Sequence, residues 1–272
     1  MGDVQPSAAI PAPDGFPSIV GYSNVATESG TSAGMRTAAF ANISKTGGKF
    51  TLADLTVTGY DAPVWDDDED DYVGGCPGTF QVQTLDGSGF TVNKYYWVDN
   101  GTVTPGWYAS QNGKTAIDGG AASIELNPGE ALWTFGKGMT LVTAGAVSEE
   151  DIAFVTKSGT QAVGVGNGTP VALTLNQLWV TGYSAPVWDD DEDDYVGGCP
   201  GTFQIQTLDG SGFTVNKYYW VDNGTVTPGW YASQNGKTAI DGGAASVTID
   251  PGKGVWVFGK GMTLNLPAPT LN

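Results

Sequence analysis

The chain contains no histidine and only eleven lysines and arginines in 272 residues. Without histidine, neither Ser-His-Asp nor Cys-His nucleophilic machinery is available, and the commonest zinc ligand is missing. Two cysteines and no CxxC exclude a disulfide-dense scaffold and make zinc a poor expectation. No apolar run is long enough to span a bilayer, so no membrane insertion is expected. No secretory leader follows Met1, and Met1-Gly2-Asp3 reads as a trimmed or processed start. Gly87-Ser88-Gly89 lacks the strand–GxSxG–helix setting of a nucleophile elbow, and no P-loop or dinucleotide fingerprint occurs. Carboxylate pairs can cleave glycosides, but one member must stay protonated, and acids adjacent in one run ionise together. The expectation is a protein that is not an enzyme.

Acid, glycine and repetition are abundant. There are 29 acids, giving a net charge of −18, and 41 glycines. The field repels nucleic acid and anionic membranes and attracts cations, so no nucleic-acid partner is expected. Val57 to Leu141 returns as Val180 to Leu264, offset by 123 residues. From Val57 to Ser123 only two positions change, Asp61 to Ser184 and Val82 to Ile205. Upstream, the copies align without gaps back to Thr37 and Thr160, with sparse identity. The repeat implies an extended proline-bearing arm over 1–17, a module over 18–145 and its copy over 146–272, each large enough for its own core.

Short β-branched and aromatic segments alternate with Gly, Pro, Asn and Asp punctuation, which predicts an all-β fold of two tandem sandwich-like or barrel-like modules related by internal duplication. The first-copy strands are expected at Ile19–Val25, Thr37–Ile43, Thr56–Gly59, Thr79–Leu85, Phe90–Val98, Gly106–Ser110, Ala122–Leu126, Ala131–Phe135 and Met139–Val142. Leu85 to Gly89 reads as a turn, and Asn100-Gly101 as a tight hairpin turn. Phe50 to Leu55, like Leu173 to Leu178, hints at one helical turn.

Each copy carries six adjacent acids: Asp66, Asp67, Asp68, Glu69, Asp70 and Asp71, then Asp189, Asp190, Asp191, Glu192, Asp193 and Asp194. These hold twelve of the 29 acids, and without them the net charge would be −6. Neighbouring carboxylates about 6 Å apart repel by roughly 0.7 kcal/mol in water and several-fold more near a protein surface. Pro63-Val64-Trp65 before the first run and Tyr72-Val73 after it give both ends apolar weight to bury. Three readings stand: an ordered Ca²⁺ site, a solvated loop, or a docking patch for a basic partner. An extended run would send Asp66, Asp68 and Asp70 to one face and Asp67, Glu69 and Asp71 to the other. The spacing is not that of an EF-hand.

Cys76 and Cys199 occupy equivalent places. They read as two separate buried thiols, as a disulfide between the modules, or as a disulfide between molecules. The densest aromatic patch is Tyr95-Tyr96-Trp97 with Trp107, repeated at Tyr218-Tyr219-Trp220 with Trp230. Tyr96, Trp97, Trp107, Tyr219, Trp220 and Trp230 read as core packing, a sugar-stacking platform or a subunit contact.

The composition resembles bacterial secreted surface proteins as a broad type. Two functions are expected on that ground. One is a structural, self-assembling subunit of an extracellular filament, sheath or layer with calcium-binding acidic loops, its partner being itself as a homopolymer or homo-oligomer. The alternative is a secreted two-module carbohydrate-binding or adhesive protein whose partner is a polysaccharide. The expected location is extracellular or at a bacterial cell surface.

Overall fold

The structure, a computed structural model, describes residues 20–26, 36–39, 50–85, 92–126, 130–136, 138–146, 151–156, 162–167, 169, 171–208 and 215–268. The arm over 1–17, most of the Leu85 to Gly89 turn and the start of the connection after residue 146 lie outside them.

The all-β expectation holds. In the first half the strands are β1 (Val20–Ala26), β2 (Arg36–Ala39), β3 (Thr56–Thr58), β4 (Val64–Asp66), β5 (Asp71–Val73), β6 (Cys76–Leu85), β7 (Val92–Asp99), β8 (Gly106–Tyr108), β9 (Ala131–Phe135) and β10 (Thr140–Ala146). The second half continues with β11 (Ile152–Val155), β12 (Val163–Gly166), β13 (Leu173–Thr174), β14 (Trp179–Thr181), β15 (Val187–Asp189) and β16 (Asp194–Val196). It closes with β17 (Cys199–Leu208), β18 (Val215–Asp222), β19 (Gly229–Tyr231), β20 (Thr248–Ile249), β21 (Gly254–Phe258) and β22 (Thr263–Leu266). Among the described residues the helical elements are single 3₁₀ turns, and none is long and apolar enough to cross a membrane.

Each half has a three-stranded sheet, β1-β10-β3 or β11-β22-β14, and a five-stranded sheet, β2-β9-β6-β7-β8 or β12-β21-β17-β18-β19. Alternation along the strands places one face of each sheet inward. On β6, Phe80 and Val82 are fully buried while Gln81 and Gln83 between and beside them keep partial exposure. Val57 and Leu141 of the three-stranded sheet join Phe80, Val82 and Leu132 of the five-stranded sheet in one hydrophobic cluster. A matching cluster forms in the second half around Val180, Leu264, Phe203, Ile205 and Val257. The Val82-to-Ile205 difference thus adds one methylene inside a buried site.

The expected helical turn is a 3₁₀ turn at Leu52–Asp54, repeated at Leu175–Gln177. The carboxylate of Asp54 accepts from both the amide and the hydroxyl of Thr51, and Gln177 does the same for Thr174. Three expectations are corrected. Ala122 to Leu126 is not a strand: a 3₁₀ turn occupies Ala121–Ser123, and Glu125 makes one isolated bridge to Thr51. Asn100-Gly101 does not close a two-residue hairpin, because β7 ends at Asp99 and β8 starts at Gly106. The ungapped alignment also fails. Thr37 lies opposite Trp133, and Gly164 opposite Trp256, the repeat partner of Trp133. Gly164, not Thr160, is therefore the counterpart of Thr37, and the copies differ in length between that strand and the 3₁₀ turn.

The halves meet through the outer faces of their five-stranded sheets. β2 and β9 pack against β12 and β21, equivalent strands from each side. Trp133 and Trp256 are in ring contact at 4.8 Å and 46°. Glu130 bridges Val165, and Gly164 sits so close that an added Cβ would lie 2.9 Å from the Ala131 carbonyl oxygen. This reciprocity is the pattern of an isologous contact, here within one chain. Gly164→Ala is expected to force the halves apart and lower unfolding free energy by about 1–3 kcal/mol. Gly120→Ala has open space, and its expected cost of about 1–3 kcal/mol comes from the backbone alone, which at φ 77 and ψ 172 is essentially glycine-only. Urea denaturation of the two variants measures both losses.

Candidate functional site

The acidic run is a hairpin, not an extended strand. β4 and β5 pair as Val64 with Val73, Trp65 with Tyr72 and Asp66 with Asp71, leaving Asp67 to Asp70 as the loop. Asp70 takes φ 51, the left-handed conformation in which Asp is among the better-tolerated residues. The second hairpin repeats this, with Asp193 at φ 52. The two-faced placement of the acids expected for an extended run is therefore corrected: the chain reverses within the run.

Local donors order the acids. Asp66 Oδ1 accepts from the amides of Asp68 at 2.9 Å and Glu69 at 3.3 Å. Asp67 Oδ1 accepts from the Trp65 indole N–H at 2.9 Å, and Asp71 Oδ1 from the Tyr72 amide at 2.7 Å. The same bonds recur around Asp189, Asp190 and Asp194. Charge-assisted bonds of this kind offset part of the mutual repulsion without a counter-ion. Among the described residues no three acidic or thiol side chains converge into a set able to hold a metal ion.

The hairpin is anchored at its base. The Gly75 amide donates to the Asp61 carbonyl at 2.8 Å, as Gly198 does to Ser184, so the Asp-to-Ser difference leaves the bond intact. A Cβ on Gly75 would lie 2.3 Å from the Asp99 carbonyl oxygen. The Tyr72 ring rests on Gly101, where a Cβ would fall 2.2 Å from its Cδ1. Above this base the hairpin projects apolar surface: Val64 is 62% exposed, Trp65 47% and Val73 44%, with near-equal values at Val187, Trp188 and Val196. Trp65 and Tyr72 stack edge to face at 5.3 Å, as do Trp188 and Tyr195 at 5.2 Å. The sequence reading gave these flanking aromatics to burial, and the structure leaves them at the surface. Their mirror order about the acids, Val-Trp before and Tyr-Val after, was the available hairpin signal.

Both cysteines are free, buried thiols. Cys76 Sγ donates to the Trp97 carbonyl at 3.4 Å, and Cys199 to that of Trp220 at 3.4 Å. Each is enclosed in the core of its own half, and no disulfide joins them within the chain.

The aromatic patch divides by strand alternation. Trp97, Trp107 and Trp230 are buried, and Trp220 is partly buried. Trp97 and Trp107 meet edge to face at 5.4 Å, and the Trp107 indole donates to the Leu55 carbonyl at 2.9 Å. Trp97 Nε1 donates to the Tyr60 hydroxyl at 2.9 Å, which donates to Asp99 Oδ2 at 3.1 Å. Trp220, Tyr183 and Asp222 reproduce this chain. Trp97, Trp107 and Trp230 pack inside the cores of their halves. Tyr96 and Tyr219 point the other way, half-buried on the outer sheet face opposite Tyr108 and Tyr231.

Comparison with protein-family models, curated proteins and solved structures yields no match for this chain.

Burial raises the Tyr60 and Tyr183 hydroxyls above the ordinary phenol range. The bonds from Trp97 and Trp220 oppose that shift, and Asp99 and Asp222 add to it. A raised folded value contributes stability that is complete below about pH 10, where an unfolded tyrosine ionises, and is lost as pH rises through the folded value. Tyr60→Phe and Tyr183→Phe each deprive a tryptophan N–H of its acceptor and are expected to cost about 1–3 kcal/mol at neutral pH. The double variant is expected to lose stability less steeply than the parent above about pH 10, measured as the urea midpoint against pH.

Proposed function

We propose that the chain is a non-catalytic structural subunit of an extracellular or cell-surface assembly, and that its acidic hairpins are the points at which it meets its neighbours. The observation that carries this is the pair of like hairpins, each projecting exposed Val, Trp and Val side chains beside six carboxylates. Exposed apolar surface on a projecting element is the mark of a contact surface. Two such surfaces on one chain make it bivalent, and bivalent subunits joined head to tail grow as open polymers. The self-association proposed is a homopolymer or homo-oligomer.

The two halves are proposed to be duplicated sandwich-like modules, 18–145 and 146–272, preceded by an arm over 1–17. The like strand orders and paired clusters support this reading. Calcium is proposed as the neutralising ion. The acids do not converge within one hairpin, so the role assigned to Ca²⁺ is to bridge carboxylates of two hairpins as they approach. Hard cations suit such oxygen-rich sites, and weak extracellular Ca²⁺ sites have dissociation constants of about 10⁻⁴–10⁻³ M. The polysaccharide-binding alternative loses its strongest candidates, because Trp97, Trp107 and Trp230 are inside the core.

Light scattering of the purified chain is expected to rise with millimolar Ca²⁺, on the order of those constants, and fall on chelation. Replacing the twelve acids by their amides is expected to permit assembly without calcium, and Trp65→Ala with Trp188→Ala to abolish it. Scattering indifferent to calcium, to charge removal and to the tryptophan changes would refute the proposal.

A further inference from the structure

We propose that Asn100 and Asn223 are acceptor sites for N-linked glycan, an assignment that rests on the exported location proposed above. The acceptor pattern Asn-x-Ser/Thr occurs at Asn42-Ile43-Ser44, Asn100-Gly101-Thr102, Asn167-Gly168-Thr169 and Asn223-Gly224-Thr225. The first lies outside the described residues. The other three share one sequence and the same pair of bonds from threonine to asparagine. Asn100 Oδ1 accepts from the amide and hydroxyl of Thr102 at 3.0 and 2.9 Å. Asn223 Oδ1 accepts likewise from Thr225 at 3.0 and 2.8 Å, and Asn167 Oδ1 from Thr169 at 2.9 and 2.7 Å.

The amide nitrogen separates them. Asn167 is 1% exposed, and its Nδ2 donates to the carbonyls of Val171 at 2.8 Å and Ile249 at 2.7 Å. Both its N–H bonds are committed inside the protein. Asn100 and Asn223 stand at the heads of the exposed connections after β7 and β18, each followed by an exposed glycine and threonine. Their Nδ2 atoms bond to none of the described residues. The same Oδ1 bonding thus occurs twice at a partly exposed asparagine whose nitrogen bonds to no described residue, and once with the nitrogen enclosed.

Glycan transfer uses that nitrogen as the nucleophile. A bond forms from Nδ2 to the anomeric carbon of a lipid-pyrophosphate-linked oligosaccharide. The bond from that carbon to the pyrophosphate oxygen breaks, its electron pair leaves with the lipid pyrophosphate, and one amide proton passes to a base of the transferase. Two donors on Oδ1 draw electron density from the amide and ease loss of the N–H proton, and the threonine hydroxyl is one of them. Because Tyr72 rests on Gly101 and Tyr195 on Gly224, each glycan would stand beside an acidic hairpin.

The test treats the purified, folded full chain with an oligosaccharyltransferase and a synthetic lipid-linked oligosaccharide, then maps glycopeptides by mass spectrometry. The expected result is one glycan each at Asn100 and Asn223 and none at Asn167. Thr102→Ala and Thr225→Ala are each expected to remove one glycan and leave the other. Absence of transfer at Asn100 and Asn223, while the same enzyme modifies an Asn-Gly-Thr peptide, overturns the assignment, as does equal transfer at Asn167. A second arm passes the chain through a glycosylating secretory pathway behind a leader. Export with both asparagines bare overturns the assignment. Failure of export alongside transfer by the purified enzyme counts against the surface location and leaves the acceptor assignment standing.

Discussion

A buried indole brings an N–H that must find an acceptor, and each half of this protein is organised around meeting that demand twice. Trp107 reaches the carbonyl of Leu55, which ends the 3₁₀ turn, and Trp97 reaches Tyr60, which leans on Asp99. Those bonds tie the five-stranded sheet to the segment joining the two sheets. Asp99 also faces Cys76 across the ladder and presents its carbonyl to Gly75, at the foot of the acidic hairpin. The direction in which the hairpin leaves the body is therefore set by the same residues that close the core.

This arrangement separates rigidity from charge. The acids sit on a reversing loop whose own amides and indole N–H satisfy several of their oxygens, and the apolar anchors lie outside the core. Like charges crowded at one place favour solvent exposure, and the fold gives them a stalk. Glycines at its base take backbone approaches that no Cβ permits, so the stalk stands on main chain rather than on side chains.

The class of fold was legible because β-branched and aromatic residues alternate between strong turn formers, and the position of β6 to β9 followed from that alternation. The acidic hairpin was not legible from propensity: Asp is disfavoured in strands, so Asp66 and Asp71 do not announce a ladder. Its signal lay in the mirrored Val-Trp and Tyr-Val, which pair by register. Alternation along β7 separated Tyr96 from Trp97 correctly, yet which side faced inward depended on the second sheet, a long-range fact. Asn100-Gly101 reads in sequence as a turn alone. Its following threonine, and the contrast between Asn100 and the enclosed Asn167, emerged once accessibility was known. The length difference that displaces Gly164 from Thr160 was hidden by sparse identity, and strand register revealed it.

The reciprocal packing of β2 and β9 on β12 and β21 has a consequence for how the chain reaches its native state. Two nearly identical texts in one polypeptide compete for the same ladders, since β6 of one copy matches β18 of the other as well as its own β7. The strands that differ most are β1 with β11 and β2 with β12, where Arg-Thr-Ala-Ala in one copy stands against Val-Gly-Val-Gly in the other. They close the edges of their sheets, so a mispaired hybrid would be finished by the wrong edge. Vectorial synthesis favours the first copy completing itself before the second emerges. The divergent edges then act as a proofreading key, and the contact between Trp133 and Trp256 forms once both copies have sorted themselves.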